Sequence, residues 1–161
     1  MAQEQLYRRL YGFAMAIAMR YAVDEHEAAD ILGHAFVKMF RSISSYDPEK
    51  GNFHGWFKKI IINESLNHIK RRSRFGSLEL DVAEEPFVNN SIMEKIDAAG
   101  ILQLVRQLPP ATHAVFVLYA IDGYTHREIG AKLNISEGTS KWHLSEARKI
   151  LQQKIAAIET A

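Results

Sequence analysis

Tyr124-Thr125-His126-Arg127-Glu128-Ile129-Gly130-Ala131-Lys132-Leu133-Asn134-Ile135-Ser136-Glu137-Gly138-Thr139 is the stretch whose reading decides the fold. Thr125 with Glu128 three residues on is a capping box, so a helix starts there and carries Ile129, Ala131 and Leu133 inward. Asn134-Ile135-Ser136 reads as a tight turn with a buried Ile, and Ser136 can cap a second helix opening on Glu137-Gly138-Thr139. Helix, turn and helix in that order is the helix-turn-helix layout. Such a unit lays its second helix in the major groove, which makes Lys141, Trp142, Ser145 and Glu146 the candidate base readers. Thr139 and the first-turn amides suit phosphate, and Arg127, Lys132, Arg148 and Lys149 add backbone neutralisation. The same pattern also fits a plain αα-hairpin, so the motif alone leaves both readings open.

Working outward, a helix from about Ile92 to Gln107 is stopped by Pro109-Pro110, and a second, about Ala111 to Ile121, carries Val115, Phe116 and Leu118. The N-terminal half is helical too. Leu6, Leu10, Phe13, Ile17 and Tyr21 recur at three- and four-residue spacing over about Gln3 to Tyr21. Arg8 and Arg9 before an Ala-rich apolar stretch imitate a signal peptide, but Arg20 closes that stretch at once, and a helix of a cytoplasmic protein is the expectation. Asp24 can cap a helix running to about Ser42, with Ile31, Leu32, Ala35, Phe36, Met39 and Phe40 on its apolar face. A turn-rich loop, Ser44 to Gly51, leads to Asn52, which can cap a helix from Phe53 to about Arg72.

Charge divides the chain in the same places. Residues 1–74 hold twelve Lys and Arg against eight Asp and Glu, residues 75–100 hold one against six, and residues 101–161 hold seven against five. Basic, acidic, basic describes two bodies and an unlike tether. The middle also loses helical periodicity around Gly76, Pro86 and Asn89-Asn90. The expectation is an all-α protein: a domain over 1–73, a flexible acidic linker over 74–91 containing Glu79, Asp81, Glu84 and Glu85, and a helix-turn-helix domain over 92–161.

Composition removes whole classes. With 47% hydrophobic and 24% charged residues the chain of 161 folds around a core. The absence of cysteine excludes disulfides, Cys-ligated zinc, iron–sulfur clusters and thiol nucleophiles. No apolar run approaches the roughly 18 to 20 residues that span a bilayer. The seven histidines are scattered without ligand spacing, and neither a serine elbow nor a Gly-rich phosphate loop is present. No catalytic residue, metal or cofactor is expected.

Tyr46, Phe53, Trp56 and Phe57 lie beside Lys58, Lys59, Asn63, Lys70, Arg71, Arg72 and Arg74. Aromatic faces stack on unpaired bases while a basic groove follows the phosphates, which is how a single strand is held. Aromatics at helical spacing are also what a core needs, and the residues alone leave that alternative standing.

Asp30-Ile31-Leu32-x-x-Ala35-Phe36, then Tyr46-Asp47-Pro48-x-x-Gly51-x-Phe53-x-x-Trp56-Phe57-x-x-Ile60-x-x-Asn63 and a basic run, resembles the defining region of bacterial RNA polymerase sigma factors. Leu108-Pro109, Gly123-Tyr124-Thr125-x-x-Glu128-Ile129-Gly130, Ile135 to Thr139 and Ala147-Arg148-x-x-Leu151 resembles that family's C-terminal DNA-reading domain. Two bodies with a short linker look like the extracytoplasmic-function (ECF) subgroup. The resemblance implies a dissociable initiation subunit rather than an enzyme. It implies polymerase docking, on the largest subunit's clamp helices, through Asp30, Ile31, His34, Phe36 and Lys38. It further implies capture of a flipped minus-ten base by Tyr46 and Asn63, with Trp56, Lys59, Lys70, Arg71 and Arg72 along the single strand. The helix-turn-helix would read duplex promoter DNA at minus thirty-five through Arg127, Thr139, Lys141, Trp142, Ser145, Glu146 and Arg148, and would touch the polymerase flap. An anti-sigma factor or other regulatory partner, and no membrane, completes the list.

Departures from the family pattern are Gly33 and His34, where Gln and Glu are common, Asn67 for Asp, Ser140 for a β-branched apolar residue, and Trp142. Two rival readings share these residues. A stand-alone helix-turn-helix regulator needs a symmetric dimer and has no use for Tyr46 and Asn63. An adaptor that brings polymerase to a separate DNA-binding partner shares the docking helix.

Overall fold

Asp24 separates the first two helices. Its carboxylate accepts from the Glu27 amide at 2.8 Å, which ends α1 (Ala2–Tyr21) and opens α2 (Glu25–Ser42). In the computed structural model residues 2–73 and 98–160 are described, and the chain divides into two units, Met1–Arg72 and Ser73–Ala161. The expected linker, and the start of the helix expected at Ile92, lie outside the described residues.

In the first unit a 3₁₀ turn, Ile43–Ser45, and another, Pro48–Lys50, carry the chain from α2 to α3 (Phe53–Ser73). Asn52 caps α3, its Oδ1 accepting from the Gly55 amide at 2.7 Å. The three helices enclose Leu10, Ala14, Ile17 and Tyr21 from α1, Ile31, Leu32, Ala35, Phe36 and Met39 from α2, and Phe57, Ile61, Ile62, Leu66 and Ile69 from α3. Ring contacts run through this core from Tyr7 to Phe36 at 4.6 Å and from Phe36 to Phe57 at 5.1 Å. Each fully buried Leu, Ile or Phe contributes on the order of 1.5–3 kcal/mol, so burial of this face outweighs any surface ion pair.

The second unit, from residue 98, contains α4 (Ala98–Arg106), α5 (Pro110–Phe116), α6 (His126–Leu133) and α7 (Glu137–Thr160). The single helix expected over about Ala111 to Ile121 is α-helical only as far as Phe116. Val117–Ile121 widens into a π turn, in which the Asp122 amide reaches back five residues to the Val117 carbonyl at 3.0 Å. The Thr125–Glu128 capping box is present in both directions, and hydrogen bonding of the Glu128 carboxylate to the Thr125 amide, then to its side chain, holds that carboxyl below its usual range. Ala131, expected inward, is exposed: an eight-residue helix turns Ile129, Gly130 and Leu133 to the core instead. Ile135, expected buried, is half-buried.

The turn depends on two backbone conditions. Asn134 adopts a left-handed conformation at φ 56°, which asparagine tolerates. A Cβ on Gly130 would lie 2.7 Å from the Ile135 carbonyl oxygen, so the close approach that brings α7 onto α6 requires glycine there. Gly33 is the opposite case, exposed inside α2 with nothing within 4 Å of a notional Cβ.

These two glycines should respond to alanine with opposite sign. Gly33→Ala is expected to stabilise the first unit by about 0.5–1 kcal/mol, because helix propensity improves with no clash. Gly130→Ala is expected to destabilise the second by about 1–3 kcal/mol, since the obstacle is backbone. Each unit has one tryptophan, Trp56 and Trp142, so urea titrations in Trp142→Phe and Trp56→Phe backgrounds read the units separately; a stabilised Gly130→Ala protein would refute the packing argument.

Candidate nucleic-acid interfaces and docking face

The loop before α3 builds a cleft of about 470 Å³ lined by Tyr46, Asp47, Lys50, Gly51, Trp56 and Lys59, among others. Local bonds fix its shape. Asp47 accepts from the Glu49 amide at 3.0 Å, the Tyr46 hydroxyl donates to the Gly51 carbonyl at 2.9 Å, and Gly51 takes φ 150°. Tyr46, Phe53 and Trp56 touch one another with centroids 5.4–5.5 Å apart, so the half-buried Tyr46 and Trp56 rings wall the cleft instead of filling the core. Phe57, one residue on, is fully buried. Of these aromatics, Phe57 takes the core position, while Tyr46 and Trp56 keep a face on the cleft. Asn63 is exposed one helical turn beyond Lys59 on the same stripe of α3 and does not line the cleft.

Farther along α3 the expected basic run divides. Lys70 is half-buried and Arg71 exposed. Arg72, expected on DNA, pairs with Glu27 of α2 through one nitrogen, its Nη1 2.6 and 2.8 Å from the two carboxylate oxygens. That charge-assisted pair ties the end of α3 to the start of α2. Two more polar contacts cross between the same helices: His34 Nδ1 to His68 Nε2 at 3.0 Å, and Lys38 Nζ to Glu64 at 3.4 Å. Burial, then the Arg71 charge and His34, lower the His68 pKa, which favours a neutral ring.

Two of the five docking residues need correction. Ile31 and Phe36 are 0% and 3% exposed, because the apolar stripe of α2 faces α1 and α3, and neither can touch a partner directly. Asp30, His34 and Lys38 are exposed. Val37, 48% exposed and one turn after Gly33, belongs to this face and went unnoticed in the sequence.

In the second unit, α7 buries Ser140, His143, Leu144, Ala147 and Leu151 and turns Lys141, Trp142, Ser145 and Arg148 outward. Glu146 and Thr139 are half-buried and Arg127 is exposed. Trp142 is 58% exposed, an unusual placement for indole in a solvated helix. The Ser136 hydroxyl caps α7 by accepting from the Thr139 amide at 3.0 Å and donating to the Thr139 hydroxyl at 2.8 Å. The stripe Lys141, Ser145, Arg148, Lys149 and Gln152 borders a shallow cleft of about 480 Å³ with Tyr119 and His126. Three cations, Lys141, Arg148 and Lys149, make this the basic side of the unit. Lys141 lies 3.9 Å from Glu137, an exposed pair that is too weak to hold it from a phosphate or base.

Sequence reasoning missed Thr112, Tyr119 and His143. The stripe Ser140, His143, Leu144, Ala147 is a three- and four-residue period that placed His143 inward, and that signal was available.

Residues 6–75 match the family profile for Sigma-70 region 2, and residues 99–151 match that for Sigma-70 region 4. The chain belongs to the ECF RNA polymerase sigma factors. It is 29% identical over 159 residues to the ECF RNA polymerase sigma factor SigE of Mycolicibacterium smegmatis, covering 95% of this chain but 61% of that protein. The Bacillus subtilis sigma factor SigW is 28% identical, across 81% of this chain and 76% of its own length. Among solved structures, the sigma factor RpoE of Bartonella quintana, crystallised with the anti-sigma factor NepR, has the same fold at TM-score 0.59 and 20% identity, over 95% and 96% of the two chains. Among the described residues no helix is long and apolar enough to cross a membrane, and no group of three or more His, Asp or Glu could hold a metal ion.

Burial lowers the His143 pKa from the usual 6.5, against the smaller opposing pull of Glu146. Below 6.5 the unfolded chain therefore binds a proton that the folded chain refuses, and the stability present above that pH is lost as pH falls through the folded value. Urea midpoints of the second unit should decline between about pH 7 and pH 5. His143→Gln should flatten the slope; an unchanged slope would show that another group titrates.

Proposed function

We propose that this chain binds core RNA polymerase and directs promoter-specific transcription initiation in the cytoplasm, acting by binding rather than by catalysis. The observation that carries the reading is the presence in one chain of an aromatic-walled, lysine-flanked cleft and a helix-turn-helix with a basic outer stripe. A protein that melts a promoter must offset unstacking, and a pocket for an extruded base does so while duplex contacts upstream fix the register. Tyr46 and Trp56 supply the stacking surface, and Asn63 an amide for the base edge. Lys59, Lys70 and Arg71 follow the strand. Arg72 serves structure instead, holding α3 to α2.

Upstream, Lys141, Trp142, Ser145 and Glu146 face the major groove, with Thr139, Arg127 and Arg148 on phosphate. Docking on the polymerase clamp helices runs through Asp30, His34 and Lys38 of α2, with the helix-turn-helix touching the flap. The acidic segment around Glu79 and Glu85 suits a path between basic walls. An anti-sigma partner is part of the proposal, supported by the complex in which the Bartonella relative was solved.

Co-elution with bacterial core RNA polymerase on gel filtration tests the reading, with Asp30→Ala Lys38→Ala as control because both side chains are exposed. Stable co-elution, lost in the double variant, is expected. A protein that elutes alone would favour the stand-alone regulator.

Tyr46→Ala and Asn63→Ala should each reduce open-complex formation by about tenfold or more, consistent with roughly 1–3 kcal/mol per stacked base, while core binding stays near normal. Permanganate footprinting of the melted strand reads this directly, and an equal loss of core binding would sink the minus-ten assignment.

A further inference from the structure

Lys141 and Trp142 sit between two residues that face the other way. Ser140 is fully buried, and its Oγ lies 2.8 Å from Nδ1 of His126, the first residue of α6. His126 in turn stacks almost parallel on Tyr119 of the π turn, 4.5 Å and 14° apart. His143 is 6% exposed, with Nδ1 2.9 Å from Oγ1 of Thr112 in α5, itself 3% exposed. On its outer side the His143 ring meets the Trp142 indole edge-on at 5.0 Å. The opening turns of α7 are therefore held by one polar contact to α6 and one to α5, on either side of the two outward residues.

Stability does not require this arrangement. A buried hydrogen-bonded pair gives little net stabilisation over an apolar pair of the same shape, since both groups must first be desolvated. What it adds is direction. Apolar packing lets a helix roll by several degrees at little expense, whereas a hydrogen bond weakens steeply off its axis. At about 6 Å from the helix axis a 10° roll displaces a side-chain tip by about 1 Å, enough to lose a base-edge hydrogen bond.

We propose that Thr112, His143, His126 and Ser140 are positioning residues that fix the roll of α7, and that they thereby set which base pairs Lys141 and Trp142 select. The proposal rests on the groove-facing reading of α7. Thr112 and His143 carry most of it, because both are buried and the chain of contacts ends on the exposed indole.

The test uses the full chain bound to core RNA polymerase and a pool of duplexes with a randomised upstream segment, sequenced before and after capture. Thr112→Val His143→Leu should keep its helical content and thermal midpoint and its capture of bulk duplex. It should lose about five- to tenfold of the enrichment at the positions that Lys141→Ala alters, leaving other positions unchanged. Thr112→Ser, which retains the hydroxyl, should keep wild-type enrichment. If the double variant unfolds, Thr112→Val alone carries the comparison, because it preserves shape and removes only the hydrogen-bonding group. Undiminished enrichment in a folded Thr112→Val or double variant, with Lys141→Ala impaired, overturns the positioning role and leaves the groove reading intact. Wild-type enrichment in Lys141→Ala overturns the groove reading itself, and the proposal with it.

Discussion

Each unit is too small to separate its core from its working surface, and one long helix has to serve both. In the first unit α3 buries Phe57, Ile61, Ile62, Leu66 and Ile69 on one side and exposes Lys59, Asn63 and Arg71 on the other. In the second, α7 buries Leu144, Ala147 and Leu151 and exposes Lys141, Trp142, Ser145 and Arg148. A 3.6-residue period ties the two faces rigidly together, so the packing of the inner face decides where the outer face points. Whatever these helices do to a nucleic acid, they do with an orientation inherited from the core.

That coupling explains why polar contacts recur on the inner and flanking surfaces of both helices. Glu27 with Arg72, His34 with His68, and Lys38 with Glu64 cross between α2 and α3 in antiparallel order, and Ser140 and His143 are bonded to α6 and α5. The ion pairs among them contribute at most about 1 kcal/mol each, far less than the apolar burial beside them. Their effect lies in registration: a carboxylate that accepts from a guanidinium nitrogen at 2.6 Å tolerates little sliding of one helix along the other.

The helices, their caps and the helix-turn-helix were legible because each is written locally. Asp24, Asn52, Thr125 with Glu128, and Ser136 all cap as their positions suggest. The π turn was not, since the five-residue reach from Asp122 back to Val117 leaves no local signature in Val117-Leu118-Tyr119-Ala120-Ile121. Of the candidate site, the grouping of Tyr46, Trp56 and Lys59 on one loop and helix start was legible, and burial was misjudged where a residue had two possible destinations. Ile31 and Phe36 lie within a motif segment that suggested contact, yet the apolar stripe claims them. Arg72 belongs to a basic run, yet Glu27 forty-five residues earlier claims it. Competition between a distant internal partner and an external one is invisible in sequence spacing.

The departures at Gly33 and His34 acquire a physical meaning on the same helix. A Glu at position 34 would present a carboxylate outward, whereas His34 turns to His68, whose burial favours its neutral ring. Lys38 is drawn toward the nearly buried Glu64, so its charge is partly compensated. Asp30 remains as the outward charge, beside the open space at Gly33 and the exposed Val37 one turn on. If this face docks as proposed, its missing side chain, uncovered valine and compensated charges would discriminate by shape more than by long-range attraction. Association through it would be governed by how long contacts persist rather than by electrostatic capture, and would depend weakly on salt.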